Sequence, residues 1–426
     1  MYETWNHIRE LLADTQNWLL IGVILLGGHL SGKIAKFARM PSVVGYLIAG
    51  VLLGVSAFNI MDPETVKHLH LISDFGLGIV AFMIGTELSA KLMRKLGKRL
   101  FIIILTESIG AFLLVFGLVW LCVDLSMAKG AVAVATGLVF AAMAPASAPA
   151  GTVAVIHEYK AKGPLTSLLL AVVGLDDGLA IMIYAFAIAG VRILLGGGDL
   201  TVASIFTGPV LEIMGGLFVG ALVGLILTYS ASKTRSPAEI LTLSLGAILL
   251  ATGLANVLGF SLILSNLAVG MIMVNISSHD ANRSYKAVKG VTHPVFILFF
   301  VLAGAHLDLH ILLKLSLLAP VYIVGRIIGL MGGAWLGATI SRAEDTVRKY
   351  LGMGILSQAG VAIGLALMVN RQLAGPGSPF GEEGKFIASM AINTIAATTI
   401  FFEVLGPIVT KIALARAGEI DVSKSD

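Results

Sequence analysis

Charge is scarce in this chain. Only 13% of its 426 residues are Asp, Glu, Lys or Arg, about half of what an ordinary soluble protein carries. That shortage excludes a soluble enzyme and also a disordered, charge-solvated chain. Cysteine is scarcer still. Cys122 stands alone, so no internal disulfide forms and a disulfide-stapled secreted scaffold is excluded. Cys122 sits in an apolar run and reads as packing. No cleavable signal peptide is expected, since residues 1–17 read as polar and no basic stretch precedes the apolar run that follows. The formal charge of +4 is not a nucleic-acid footprint, because the placement of the charges matters more than their sum.

What the chain has in excess is apolar surface. Hydrophobic residues make up 57% of it, and mean hydropathy is +0.94. Thirteen apolar segments of helix length can be counted: 18–37, 42–58, 69–93, 100–123, 128–156, 165–195, 205–229, 238–258, 261–276, 287–305, 313–340, 347–369 and 384–413. They are numbered here as spans 1 to 13. A span needs about 20 apolar residues to cross a bilayer, and in lipid only helices or closed barrels satisfy the backbone. The expected fold is therefore all-α and polytopic. Of the 29 Lys and Arg, counting those at adjoining span ends with the loops, 21 belong to the loops after spans 1, 3, 5, 7, 9 and 11 or to the C-terminal tail; seven lie on the other side and one, Arg326, deep inside a span. The positive-inside rule then predicts a cytoplasmic C-terminus and an outside N-terminus in the cell's inner membrane. The tail after span 13 is expected to be short, with no soluble regulatory domain at either end.

Four charges lie deep inside spans: Glu107 in span 4, Asp176 and Asp177 in span 6, and Arg326 in span 11. Intramembrane charge is expensive and marks function by default. Glu87, Glu239, Lys91 and Asp308 sit near span ends, where water or headgroups suffice; Glu212 and Glu403 are intermediate. Successive helical residues point about 100° apart. One aspartate can thus face a cavity while its neighbour faces another helix. Two adjacent carboxylates in low dielectric resist double ionisation, which suits a site that trades a proton for a small cation. Arg326 stays protonated and, when buried, is expected to have an anionic partner. Glu107 is the first candidate and Asp176 the second.

Two spans read as interrupted. Span 5 contains Pro145 and Pro149, which remove backbone donors and clash with the preceding turn. Span 12 contains Ser357, Gln358 and Gly360 at its middle. A pair of broken segments in the two halves of a chain points to an inverted-repeat transporter with its site where they cross. The spacings Gly50/Gly54 and Gly216/Gly220/Gly224 permit close helix packing, within the chain or between subunits.

The residues 41–54 (PSVVGYLIAGVLLG), 81–88 (AFMIGTEL), 175–181 (LDDGLAI), 265–270 (SNLAVG) and 299–304 (FFVLAG) resemble the monovalent cation:proton antiporter-2 family of the sodium/proton antiporter superfamily, and the likeness extends over the whole chain. The resemblance implies a dimerisation or scaffold domain (1–97 and 198–308), a core ion-transport domain (98–197 and 309–417) and a short cytoplasmic tail (418–426). It also implies a homodimer, no cofactor and no nucleic-acid partner. Asp177 matches the residue that binds either cation or proton, Asp176 its supporting partner, and Arg326 the basic residue facing the crossover. Relatives often carry threonine at the position of Met143; here Ser147 or freed carbonyls are expected to supply that oxygen. Electrogenic relatives carry lysine where this chain has Arg326, so the arginine implies electroneutral exchange of one proton per cation.

The expectation is thus a secondary transporter that exchanges Na⁺ or Li⁺ for H⁺, with both competing for Asp177 and with Glu107 and Arg326 as a structural charge pair. His157, His293, His306 and His310 are candidate modulators. The nearest alternative is a potassium/proton antiporter or potassium-efflux protein of the same family. An organic-anion symporter would not need the buried charges, and a sensor would need an output domain. An intramembrane aspartyl protease is a remote alternative: Gly196, Gly197, Gly198 and Asp199 match a G-x-G-D string, but Asp176 and Asp177 are adjacent on one helix and do not face each other from two.

Overall fold

In the computed structural model, residues 17–54, 57–58, 60–61, 69–196, 202–305, 317–375 and 378–420 are described. His306, Asp308, His310 and most of the Gly196–Asp199 string lie outside them. The described residues hold fifteen helices and no strand. In chain order they are α1 (Asn17–Phe37), α2 (Ser42–Leu53), α3 (His70–Glu87), α4 (Ala90–Ser126) and α5 (Ala131–Met143). Then come α6 (Pro149–Glu158), α7 (Pro164–Leu194), α8 (Val202–Ser232), α9 (Pro237–Leu258) and α10 (Leu262–Ile276). The last are α11 (Ser278–Ala305), α12 (Leu318–Ile340), α13 (Asp345–Gly354), α14 (Gly360–Ala374) and α15 (Gly381–Arg416). Eight described helices are long and apolar enough to cross a membrane, and four shorter ones are apolar. Outward faces carry bare apolar side chains such as Leu26, Phe101, Phe218 and Val257, as a lipid-facing surface requires.

Each predicted span overlaps one helix or two in succession, although span 3 runs past the end of α3 at Glu87 into α4. Span 5 is split into α5 and α6, and span 12 into α13 and α14. Pro149 opens α6 at its first turn, where a missing N–H costs nothing. Two helices begin well before their apolar runs. α4 starts at Ala90 and not at 100, and α11 starts at Ser278 and not at 287. Hydropathy marks where a helix meets lipid, whereas capping marks where it begins. Ser89 Oγ accepts from Leu92 N at 3.2 Å, and Ser277 Oγ accepts from Asp280 N at 3.3 Å, so the charged first turns are held as helix.

The chain alternates a long helix, a broken pair and a long helix twice: α4, α5–α6, α7 and then α12, α13–α14, α15. The most extensive helix pairing is α4 with α12, followed by α8 with α10, α10 with α3 and α11 with α2. All four are made by glycine. Gly216, Gly220 and Gly224 lie against Ser261, Ser265 and Val269 of the α9–α10 region, and Gly50 against Val301 and Gly304 of α11. Both sequence spacings therefore serve packing inside the chain. Gly85 and Gly270 bring α3 and α10 together, and Gly329 and Gly333 of α12 meet Ala111 and Glu107 of α4. In lipid no hydrophobic force drives helices together, so close backbone approach supplies the attraction. The α4–α12 seam fixes the helices that carry Glu107 and Arg326 beside one another.

The N-terminus of α7 is closed from the far end of the chain. The Glu419 carboxylate accepts from Leu165 N and Thr166 N, both at 2.7 Å, and from Thr166 Oγ at 2.6 Å. An anion there also complements the positive end of the helix.

The seam makes a paired prediction. A Cβ on Gly333 would lie 2.3 Å from Thr106 O and 2.6 Å from Glu107 Cα, whereas one on Gly332 would meet nothing within 4 Å. Gly333→Val should cost at least about 1–3 kcal/mol and lower the thermal midpoint in detergent. Gly332→Val should melt with the parent chain. Equal midpoints for the two variants would refute the seam.

Candidate ion-binding site

The two interrupted segments touch. Ala148 N, in the first break, donates to Ser357 O, in the second, at 2.9 Å. Gln358 Nε2 reaches back to Met143 O at 3.2 Å and to Tyr322 Oη at 2.8 Å. Thr152 Oγ, one turn into α6, donates to Gly354 O at 2.8 Å, where Thr410 Oγ of α15 also donates at 3.4 Å. Gly406 lies against Ser357, where a Cβ would meet its Cα at 2.7 Å. The breaks are thus locked to each other and packed under α15. α6 and α14 both begin at the crossing without a side-chain cap, leaving two positive helix ends in the middle of the structure.

Arg326 occupies the opposite role. It is 0% exposed. Its Nε donates to Ala144 O at 2.9 Å and Nη2 to Ala146 O at 3.0 Å, both in the first break. Its Nη1 donates to Leu356 O at 2.6 Å and Nη2 also to Ser357 O at 3.3 Å, both in the second. The ring of Phe402 closes the remaining face, with its centroid 4.3 Å from Cζ. These carbonyls sit just past the C-terminal ends of α5 and α13, where helices leave acceptors unpaired and carry negative dipole. The guanidinium replaces the N–H groups that two broken helices lack.

This corrects the expectation of a Glu107–Arg326 ion pair. Neither Glu107 nor Asp176 comes within 4.0 Å of Arg326, and the ion pairs among the described residues lie elsewhere. Backbone carbonyls hold the guanidinium instead: its five N–H donors are spread over four acceptors left unpaired by the two breaks. Coulombic interactions still link Arg326 to both acids.

The carboxylates are buried alongside. Glu107 and Asp176 are 1% exposed and Asp177 is 2% exposed. Ser147 Oγ, in the first break, donates to Asp176 Oδ2, so one aspartate is tied to the crossing. Its other oxygen has no partner, and neither oxygen of Asp177 has one. Buried polar atoms are paired almost everywhere in proteins; here three carboxylate oxygens on successive residues are not, and neither are Glu107 Oε2 and Glu403 Oε2. Sequence reasoning missed Tyr322, Thr152, Phe402 and Gly406. The first was open to it, since Tyr322 lies four residues before Arg326 on the same helix face. His157 Nδ1 is 3.2 Å from Tyr285 Oη, and His293 packs edge-on to His29 and Tyr46; both lie away from the crossing.

Arg326→Gln should destabilise the fold by several kcal/mol, given about 1–3 kcal/mol for each buried acceptor left unpaired. The check is the thermal midpoint of the purified protein in detergent, with Arg326→Lys expected between the two, since one ammonium cannot span both breaks. A Gln variant that melts with the parent would show that the carbonyl cage contributes nothing.

Comparison with known proteins places this arrangement. Residues 21–416 match the family model described as "Sodium/hydrogen exchanger, transmembrane". The chain is 26% identical over 429 residues to the Na(+)/H(+) antiporter NhaS4 of a Synechocystis species, covering 95% of this chain and 100% of that one. It is 25% identical over 374 residues to the glutathione-regulated potassium-efflux system protein KefC of an Enterobacter species, covering 83% of this chain and 56% of that one. The structure of the sodium proton antiporter MjNhaP1 from Methanocaldococcus jannaschii at pH 8 shares the fold, with a TM-score of 0.67 at 17% identity over 93% of this chain and 97% of that one. With one family model matching residues 21–416 of this all-α chain, the chain belongs to the sodium/hydrogen exchanger family of membrane transporters.

Proposed function

We propose that this protein exchanges Na⁺ or Li⁺ for H⁺ by alternating access, with cation and proton competing for Asp177. The observation that carries the reading is the pair of buried, unpartnered oxygens on Asp177, one residue from an aspartate tied to the crossing. A bare carboxylate in low dielectric takes either a proton or a small hard cation. Asp176 Oδ1 and the Ser147 hydroxyl are the other oxygens at hand. The Ala144 and Ala146 carbonyls each already accept one hydrogen bond from Arg326. Loading neutralises Asp177 and lets the site cross the barrier, whereas the empty carboxylate is held back by its desolvation cost.

Arg326 supports electroneutral exchange. A guanidinium in a cage of carbonyls keeps its charge throughout the cycle, so one cation replaces one proton. The grouping of α4–α7 with α12–α15 as a moving core, against α1–α3 and α8–α11 as a dimerising scaffold, is part of the same proposal. So are the inner-membrane location and the cytoplasmic C-terminus. Potassium exchange or efflux is the second reading, favoured by the likeness to the potassium-efflux relative.

Proton flux in proteoliposomes after Na⁺, Li⁺ or K⁺ pulses tests both readings. Na⁺- or Li⁺-driven flux should vanish in Asp177→Asn and be unchanged when voltage is clamped. Flux driven by K⁺ alone would favour the second reading, and full flux in Asp177→Asn would move the site elsewhere. Current carried during exchange would end the electroneutral assignment.

A further inference from the structure

One turn of the chain is gripped by two charges from distant helices. The turn 37–41, between α1 and α2, passes through a left-handed residue, Arg39, at φ 60. α2 then begins at Ser42 with no side-chain cap of its own. The cap comes from α6: the Glu158 carboxylate accepts from Ser42 N at 2.9 Å and from Ser42 Oγ at 2.9 Å. Lys36 Nζ approaches the same carboxylate at 3.5 Å. From α15, Lys411 Nζ donates to Arg39 O at 2.8 Å. An anion thus sits at a helix N-terminus and a cation at the carbonyl of the turn before it, each on the end of the dipole that suits it. Lys411 also lies over the ring of Tyr159, 4.8 Å from its centroid, so both charged arms are braced side by side. Beside this contact a cavity of about 230 Å³ separates α6 from α1, α2 and α11, with Ala154 in its wall.

We propose that Glu158 and Lys411 form a latch between the two halves of the transporter. It closes on the 36–42 turn in this conformation and opens once in every cycle. The proposal rests on the reading of α6 and α15 as parts of a core that moves against α2. Under that reading the two contacts cannot survive translocation, because they cross the sliding boundary. Glu158 is then a positioning residue. It touches neither cation nor proton, and it acts by weighting this conformation over the alternate one. Loss of a charge-assisted contact shifts such an equilibrium by about tenfold or more.

The test needs a readout that does not depend on transport. Ala154→Cys, in a Cys122→Ser background, reports on the cavity wall through its labelling rate with a membrane-impermeant maleimide. Glu158→Gln keeps the shape and removes the charge, and should raise that rate about tenfold, with Lys411→Leu acting in the same direction. The thermal midpoint should stay near that of the parent. Unchanged labelling in a folded Glu158→Gln protein overturns the latch. Joining Ser42→Cys to Glu158→Cys with a short thiol cross-linker should stop flux, and reduction should restore it. Full exchange by the cross-linked protein also overturns the latch. If no cation drives flux yet labelling still responds to Glu158→Gln, the assignment of the cargo fails, while the motion of α6 against α2 and the latch that holds it stand.

Discussion

A single guanidinium decides whether two broken helices can exist in the middle of a membrane protein. Neither Pro145–Pro149 nor the Ser357–Gly360 stretch can keep a regular ladder of backbone hydrogen bonds, and lipid offers no replacement donors. Arg326 supplies them to both breaks at once. The other contacts at the crossing are arranged around that fact. Gln358 and Ala148 tie the breaks to each other, Phe402 covers the cation, and the glycine seam between α4 and α12 holds the arginine's helix at the right depth. The charge is neutralised by dipoles that cannot move. A carboxylate partner would titrate; carbonyls do not.

That division of labour leaves the aspartates available. Asp176 is half committed, through Ser147, and Asp177 is uncommitted. These groups are enclosed by the crossing, by α7 and by the close-packed α4–α12 seam. The uncapped N-terminal ends of α6 and α14 bring positive dipole to the crossing.

Much of this was legible in the amino-acid order, for a physical reason. In a chain with so little charge, Glu107, Asp176, Asp177 and Arg326 stand out against an apolar background, and the structure buries all four. The breaks were legible in part: Pro149 marks the first by chemistry, whereas the second has no proline and shows only as small polar residues. What could not be read were partners that are not side chains. Arg326 was expected to find an acid because acids are visible in a sequence, and it found backbone carbonyls, which every residue has. Helix starts at Ala90 and Ser278 were missed because hydropathy reports lipid contact and is silent about caps. The Glu158–Ser42 and Glu419–Thr166 contacts join positions far apart in the chain, and nothing local in their sequence announces them.

The distance along the chain between Arg326 and its first acceptors has a consequence for biosynthesis. Ala144 and Ala146 are 182 and 180 residues upstream of the arginine that completes them. At about 5–20 residues per second, synthesis of that stretch takes roughly 10–40 s. For that interval the first break waits in the bilayer without its donors. The N-terminal half alone therefore lacks a donor set that its own break depends on, and Arg326, from the second half, completes it.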